Sequence, residues 1–508
     1  MGQSTVIAIL ITIVGFPIIM TPVIMYSCRI SDKLRNILVI LTSAIAFGLT
    51  LSLYPFVVGG GEVQYTLFEV LPNLEISLRL DLLSFCLAIL ASFVWFLCAV
   101  YSLDYMAKEH ACGRYYPVFI FTLGSCQGIF FSGDLFSLFV FFELMSLIAY
   151  ILIIHEETEE ALKAGYKYLV MTIIGGLALF FGMIIIFEIG GTVSLGVGVI
   201  VQENSLLAFI AFICFLIGFG MKAGMFPLHV WLPDAHPVAP SPASALLSGV
   251  MLKTGAYGLI RVIFHVFSPD LLKSGGWDTV LGVLAVITIL LGSAVALTQT
   301  DIKRRLAYSS ISQLGYVLLG LSILNENATI GAVFHIFSHA FMKSVLFLAA
   351  GAIIWNTGKR QIADLQGIGR EMPITLGCFS IAAFAMIGIP PLNGFLSKWT
   401  LALGALDANM VIYVFVLLVS SLLNALYYLP IIVPAFFEMP GGGSAGHGHD
   451  HDHDEHHEIQ FDIKEAAPLM LAVMIVLALC TFIFGLTPNN VVFQLSRLTA
   501  EYLLMGGF

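Results

Sequence analysis

Stretches of roughly twenty apolar residues recur along the whole chain, and nothing else constrains its fold as much. An α-helix rises about 1.5 Å per residue, so each stretch is long enough to cross about 30 Å of hydrocarbon. The stretches begin near residues 5, 36, 80, 117, 134, 166, 206, 243, 279, 306, 329, 374, 409 and 468. With no water in the bilayer to satisfy backbone groups, each stretch must close its own hydrogen bonds. The prediction is an all-α polytopic membrane protein of about fourteen transmembrane helices. The first stretch, from about Val6 to Tyr26, is long enough to span and no small-residue cleavage site closes it. It therefore reads as a helix rather than a cleaved signal peptide. Composition agrees: 59% of the residues are apolar and 11% charged, against roughly 25% charged in soluble domains.

Lysine and arginine set the expected orientation. With the first loop cytoplasmic, the inner loops hold fourteen basic residues, from Arg29, Lys33 and Arg35 through Lys303 to Lys464, and the outer segments hold only Arg79, Lys273 and Arg497. Both termini are then outside, in a cell inner or cytoplasmic membrane. The net charge of −10 says little about partners, because seven acids lie between Asp450 and Glu465. No basic tract suits nucleic acid. The eight cysteines are scattered with no C-x-x-C, so no iron–sulfur cluster is expected. No phosphate-binding or dinucleotide-binding glycine motif is present. The expectation is that this chain holds no cofactor, and that transport is driven by an ion gradient or by another subunit.

Two spans are interrupted. The seventh carries Gly224 and Pro227 just beyond Lys222, and the twelfth carries Pro390–Pro391 ahead of Gly394 and Lys398. Proline removes a donor and clashes with the preceding turn. Breaks at corresponding places in two halves point to an ion site between inverted repeats. The expected organisation is residues 1–116 as helices one to three and 117–266 as a first repeat of helices four to eight. Residues 279–435 form a second repeat of helices nine to thirteen, 436–467 a cytoplasmic loop, and 468–508 helix fourteen with an amphipathic tail.

Five basic residues (Lys222, Lys253, Arg261, Lys343, Lys398) fall inside spans. Glu143 lies nine residues after Asp134 and twelve before His155, about 13 and 18 Å from the span ends. A charge at that depth costs at least about 3 kcal/mol, so it needs a compensating partner, and Lys222 is the natural one. Burial strips an ammonium of hydration while a nearby carboxylate restores its charge. A Glu143–Lys222 pair of changing separation would take up and release a proton; the plainer reading is a static ion pair. Lys253 sits similarly deep in helix eight. His335, His339 and Lys343 recur at every fourth position and share one helix face. Histidine titrates near neutral pH and carries protons either way; the plainer reading is polar glue between helices, or a snorkelling Lys343. Lys398, beyond the second break, suits an exit gate, or a lysine reaching for the outer interface.

Other candidates are weaker. Arg261 is as readily a snorkelling side chain as a functional one. Asp134 and Lys167 mark span ends. His229, Asp234 and His236 follow the first break and either admit protons or cap the turn. Asp301, Lys303, Arg304 and Arg305 read as a positive-inside loop. His447, His449, His451, His453, His456 and His457 alternate with acids in a glycine-rich loop. They offer zinc or nickel ligands without fixed geometry, so adventitious binding is the default.

Together these residues resemble the antiporter-like membrane subunits of respiratory complex I, membrane-bound hydrogenases and Mrp-type Na⁺/H⁺ antiporters. The resemblance covers roughly residues 80 to 430. It rests on Asp134-Leu-Phe with Phe142-Glu-Leu-Met, KAGMFPLHVWLPDAHPVAPSPASALLSGVMLKTGAYGLIRV from Lys222, DIKRRLAYSSISQLGY from Asp301, HIFSHAFMKSVLFLAAG from His335, and GIPPLNGFLSK ending at Lys398. It implies a fourteen-helix fold with two inverted five-helix repeats and broken helices seven and twelve. It assigns Glu143 and Lys222 as switching pair, Lys253 as central relay, His335 and His339 as bridge, and Lys398 as terminal site. The segment around LPDAHPVAPSPASALLSGV is closer to the hydrogenase branch than to the Mrp branch. Some complex I members have Glu in place of Lys398, which narrows the branch without settling it, and the His-rich loop is outside the family pattern.

The expectation is an H⁺- or Na⁺-translocating subunit of a redox-driven complex, non-redox itself, with redox cofactors in partner subunits and homologous subunits beside it. The alternatives are a subunit of a gradient-driven Na⁺/H⁺ antiporter, and a divalent-metal transporter suggested by the His-rich loop. The absence of paired intramembrane H-x-x-x-D motifs argues against the last.

Overall fold

A computed structural model describes residues 2–71, 74–438 and 464–506. The six histidines from His447 to His457, and most of the predicted 436–467 loop, lie outside the described residues. Among the described residues, eleven helices are long and apolar enough to cross a membrane, and Pro373–Ile387 and Pro468–Ile483 are shorter apolar helices. The chain is a multi-pass membrane protein.

The molecule is layered by exposure. The first two helices, Gln3–Ser27 and Asp32–Ser52, leave most of their surface open and apolar, as lipid-facing helices do. At the other extreme, every residue from Ala328 to Ile353 of the helix Glu326–Thr357 is buried. That helix is the axle of the second half. Packed around it are Ile302–Ile323, Pro373–Ile387, Asn393–Asp407, Pro468–Ile483 and the tail helix Val491–Leu504.

Short polar side chains start the helices by accepting from otherwise orphaned N–H groups. Asp81 caps Leu82–Tyr105, Asp134 caps Leu135–Ile153, Thr158 caps Glu159–Gly190, Asp301 caps Ile302–Ile323 and Asn325 caps Glu326–Thr357. Asp134 thus does more than mark a span end. It is fully buried, and its carboxylate also accepts from Ser77 Oγ at 2.5 Å.

Ser77 belongs to a feature the all-α expectation lacks. Val63–Leu71 and Leu74–Leu80 pair as an antiparallel hairpin between the second and third long helices. The first strand is largely exposed, whereas the second is half-buried or buried along its length. Alternation at Leu74–Leu80 (LEISLRL) carries the strand period. The helix period of the flanking spans hides it. We call the end with the hairpin the hairpin end, and the opposite, lysine- and arginine-rich end the basic end.

Both predicted interruptions are visible. Leu206–Ala223 stops at Gly224, whose φ of +73° is the left-handed conformation that favours glycine, and a 3-10 turn at Leu228–Trp231 leads into Leu232–Val238. Pro373–Ile387 stops at Gly388, with φ of +97°, and helix resumes at Asn393–Asp407. A third irregularity was not foreseen: Ser241–Val266 contains wide π turns at Leu247–Met251 and Val262–Val266, on either side of Lys253.

Candidate ion-translocation site

The structure brings most of the sequence-derived residues into one buried line. Lys253 Nζ donates to the Ser248 carbonyl at 2.5 Å and lies 2.8 Å from His339 Nδ1. Ser248 sits in the π turn, where the normal i to i+4 ladder is interrupted and a carbonyl becomes free to take a side-chain donor. The rings of His339 and His335 stack with centroids 6.0 Å apart. His335 Nδ1 is 2.9 Å from Ser397 Oγ, and the next residue is Lys398. Lys398 Nζ donates to the Met386 and Ile387 carbonyls at 2.7 and 3.1 Å and to Ser421 Oγ at 3.1 Å. Those two carbonyls are the last of the interrupted helix, unmatched because the helix ends there. Lys398 is therefore held at the break and not drawn to an interface. Its side chain fits because Gly388 has no Cβ to crowd it.

Lys343 leaves this line. It donates to the Leu306 carbonyl at 2.9 Å and to the Tyr428 hydroxyl at 3.3 Å. From there hydrogen bonds continue. Tyr428 Oη is 2.9 Å from Ser309 Oγ, and Ser309 Oγ is 2.9 Å from Tyr427 Oη. Tyr427 donates to Asn424 Oδ1 at 2.6 Å, and Asn424 Nδ2 donates to the Met386 carbonyl that also receives Lys398. Two chains of polar contacts thus converge on Lys398. Tyr427, Tyr428, Ser309 and Asn424 were not singled out from sequence. The signal available was Asn424 one turn before a Tyr-Tyr pair within an apolar span.

The Glu143–Lys222 pair is not closed. Among the described residues no carboxylate lies within 4.0 Å of Lys222, Lys253, Lys343 or Lys398. Lys222 Nζ, fully buried, donates to the Tyr168 hydroxyl at 2.8 Å, and Tyr168 in turn donates to the Ser146 carbonyl. Glu143 is half-buried, its Oε1 has no hydrogen-bond partner among the described residues, and Lys222 is the charge that acts on it across the gap. The carboxylate rests against Gly176 of the helix Glu159–Gly190, where any side chain would collide with it. Ser146 is one turn from Glu143, so Tyr168 links Lys222 to the helix that carries Glu143.

Other charges act as fasteners. Arg261 does not snorkel: it is fully buried and pairs with Asp81 at 2.7 Å. Asp81 also takes Arg79 at 3.0 Å, and Arg261 adds Tyr257, Ser84 and His265. This cluster sews the hairpin, two long helices and the tail helix together through Tyr502. The tail helix is correspondingly half-buried, with Val492, Leu495, Ser496, Thr499, Ala500 and Leu503 turned inward. At the basic end, Asp234 accepts from Lys167 at 2.7 Å and from Arg304 at 2.9 Å. Asp301, Lys303 and Arg305 are more than loop charges. Asp301 pairs with Arg360, Lys303 is buried on the Ala239 carbonyl, and Arg305 holds the carbonyls of Gln299 and Tyr427. His229 and His236 are buried, and neither ring nitrogen of His236 makes a hydrogen bond among the described residues.

The profile described as "NADH:quinone oxidoreductase/Mrp antiporter, TM" matches residues 132–424, which contain every candidate translocation residue, and one for the N-terminus of complex I chain 5 matches residues 71–116. An NADH-quinone oxidoreductase subunit from Desulforudis audaxviator is 35% identical over 412 residues, covering 79% of this chain and 81% of the relative. A Na(+)/H(+) antiporter subunit from Alkalihalophilus pseudofirmus is 34% identical over 434 residues, covering 84% of each. A chain in the Mrp complex of Dietzia sp. DQ12-45-1b shares the fold at a TM-score of 0.86 and 23% identity, over 97% of both chains. Broken helices and the buried lysine–histidine line therefore occur here in a chain that belongs to the NADH:quinone oxidoreductase/Mrp antiporter family of antiporter-like membrane subunits.

Proposed function

We propose that this chain translocates protons, or Na⁺, as one subunit of a larger membrane complex, and that Lys253, His339, His335 and Lys398 form its central relay. The observation that carries the reading is a line of buried basic groups, with Lys253, His339 and His335 in direct contact and Lys398 next to the serine that meets His335, and no counter-carboxylate within 4.0 Å among the described residues. Uncompensated charge in hydrocarbon is costly, so these groups are best matched to sites that hold protons transiently. Glu143 and Lys222 serve as the switch: closing the gap between them stabilises both charges, and opening it drives the lysine proton onward. Lys343 with Tyr428 and Tyr427 orients the far end.

The reading includes fourteen spans with both termini outside. It includes two inverted five-helix repeats over residues 117–266 and 279–435, whose interrupted helices supply Lys222 and Lys398. Redox cofactors reside in partner subunits, and other membrane subunits, homologous ones included, flank this chain. The likeness to an NADH-quinone oxidoreductase subunit supports a redox-driven complex. A gradient-driven Na⁺/H⁺ antiporter is the second reading, supported by the comparable likeness to a Na(+)/H(+) antiporter subunit. Energised membrane vesicles carrying the assembled complex test the proposal. Glu143→Gln and Lys222→Ala should each abolish coupled ion movement while the complex still assembles. Wild-type transport by either variant would refute the switch.

A further inference from the structure

Two loops at the basic end place Glu109, His110 and Glu156 so that one ligand atom from each lies within 4.8 Å of the others. Glu109 and His110 follow the helix Leu82–Tyr105, whereas Glu156 follows Leu135–Ile153. The loops are fastened without the side chains of those three residues. Arg114 pairs with Glu157 and donates to the His155 carbonyl at 2.7 Å, and Cys112 Sγ lies 3.3 Å from the Met106 carbonyl. A second observation points to a ligand. His155 is fully buried, neither of its ring nitrogens makes a hydrogen bond among the described residues, and its ring stacks on His110 with centroids 5.1 Å apart. A buried imidazole with both nitrogens idle is uncommon, and here it lies against the one imidazole of the cluster.

We infer that Glu109, His110 and Glu156 bind a divalent transition-metal ion of the zinc class, with His155 as the fourth ligand after a turn of its ring. Two carboxylates and one or two imidazoles are a borderline donor set suited to Zn²⁺, which takes such ligands at about 2.0–2.2 Å. Glu109 and Glu156 also line a cavity of about 570 Å³ that reaches Lys303 and Tyr105. The ion would sit at a solvent-filled mouth, exchangeable rather than locked into the fold.

The test must separate this site from the six histidines between His447 and His457. All arms therefore use the full chain with those six replaced by alanine, purified in detergent and titrated with Zn²⁺ against a competing chelator. The expected result is one Zn²⁺ per chain, with affinity reduced at least about tenfold by His110→Ala or Glu156→Gln, as when a member of a small ligand set is lost. Zn²⁺ should also raise the melting temperature of the reference chain but not of those variants, which checks that they are folded. The inference is overturned if the reference chain binds no Zn²⁺, or if both variants bind it as the reference does.

Discussion

Two clusters of buried charge occupy this bundle, and they are built in opposite ways. Near the hairpin end, Asp81 is saturated: Arg261, Arg79, Ser84 and Tyr502 all reach it. In the core, Lys253, His339, His335 and Lys398 have carbonyls, hydroxyls and one another, but among the described residues no carboxylate within 4.0 Å. A saturated cluster has one stable protonation state and serves as a fastener. A line of basic groups without a counter-carboxylate has no partner that fixes one charged state, which is what the proposed relay needs. Burial alone does not separate pin from path. The presence or absence of the counter-charge does.

Substitutions can break the comparison, starting with the largest effect. Lys253→Ala in the assembled complex should take coupled translocation to background with the fold intact, checked by ion-uptake assays beside assembly on native gels. Asp81→Asn should do the reverse. Leaving Arg261 uncompensated costs about 3–5 kcal/mol, read as lost assembly or a lowered melting temperature. Transport per assembled complex should stay close to wild type. If Asp81→Asn assembles normally and stops transport, the division between pin and path is wrong. A smaller effect is expected of Tyr428→Phe. Losing a hydrogen bond of about 1 kcal/mol should slow transport about fivefold, measured as initial rate, with a larger solvent isotope effect. Asp234→Asn removes a half-exposed clamp worth less than about 1 kcal/mol in stability, so its effect should show in transport rate and not in melting.

A separate effect, on stability alone, concerns pH. The folded pKa of His155, about 4, lies below its ordinary value of 6.5. Between those values the unfolded chain binds a proton that the folded one refuses, so stability falls as pH drops from 6.5 towards 4. His155→Gln should flatten that slope in melting curves recorded across the window.

How much of this was readable in advance depends on the kind of signal. Glu143, Lys222, Lys253 and Lys398 stood out because charge in an apolar run is rare, and His335 with His339 because helical spacing puts them on one face. Both breaks were legible in Gly224, Pro227 and Pro390–Pro391. Partners far apart in sequence were not. Nothing local ties Arg261 to Asp81, 180 residues away, so a pinned arginine looked like a snorkelling one. Tyr168, Tyr427 and Tyr428 passed as ordinary aromatic bulk, since a hydroxyl's role depends on its neighbours across the bundle. The hairpin was hidden because Val63–Leu71 and Leu74–Leu80 are short and lie between much stronger helical patterns. The π turns beside Lys253 leave no mark in residue type.

The shared grip of Asp234 has a mechanical consequence. Lys167 belongs to the helix Glu159–Gly190 and Arg304 to Ile302–Ile323, so one carboxylate tethers the segment beyond Gly224 to elements on either side of it. Displacing that segment stretches one tether as it slackens the other. A shift at Lys222 would thereby tug on the helix that begins beside Arg304, letting the two parts of the chain keep time without any ion passing between them.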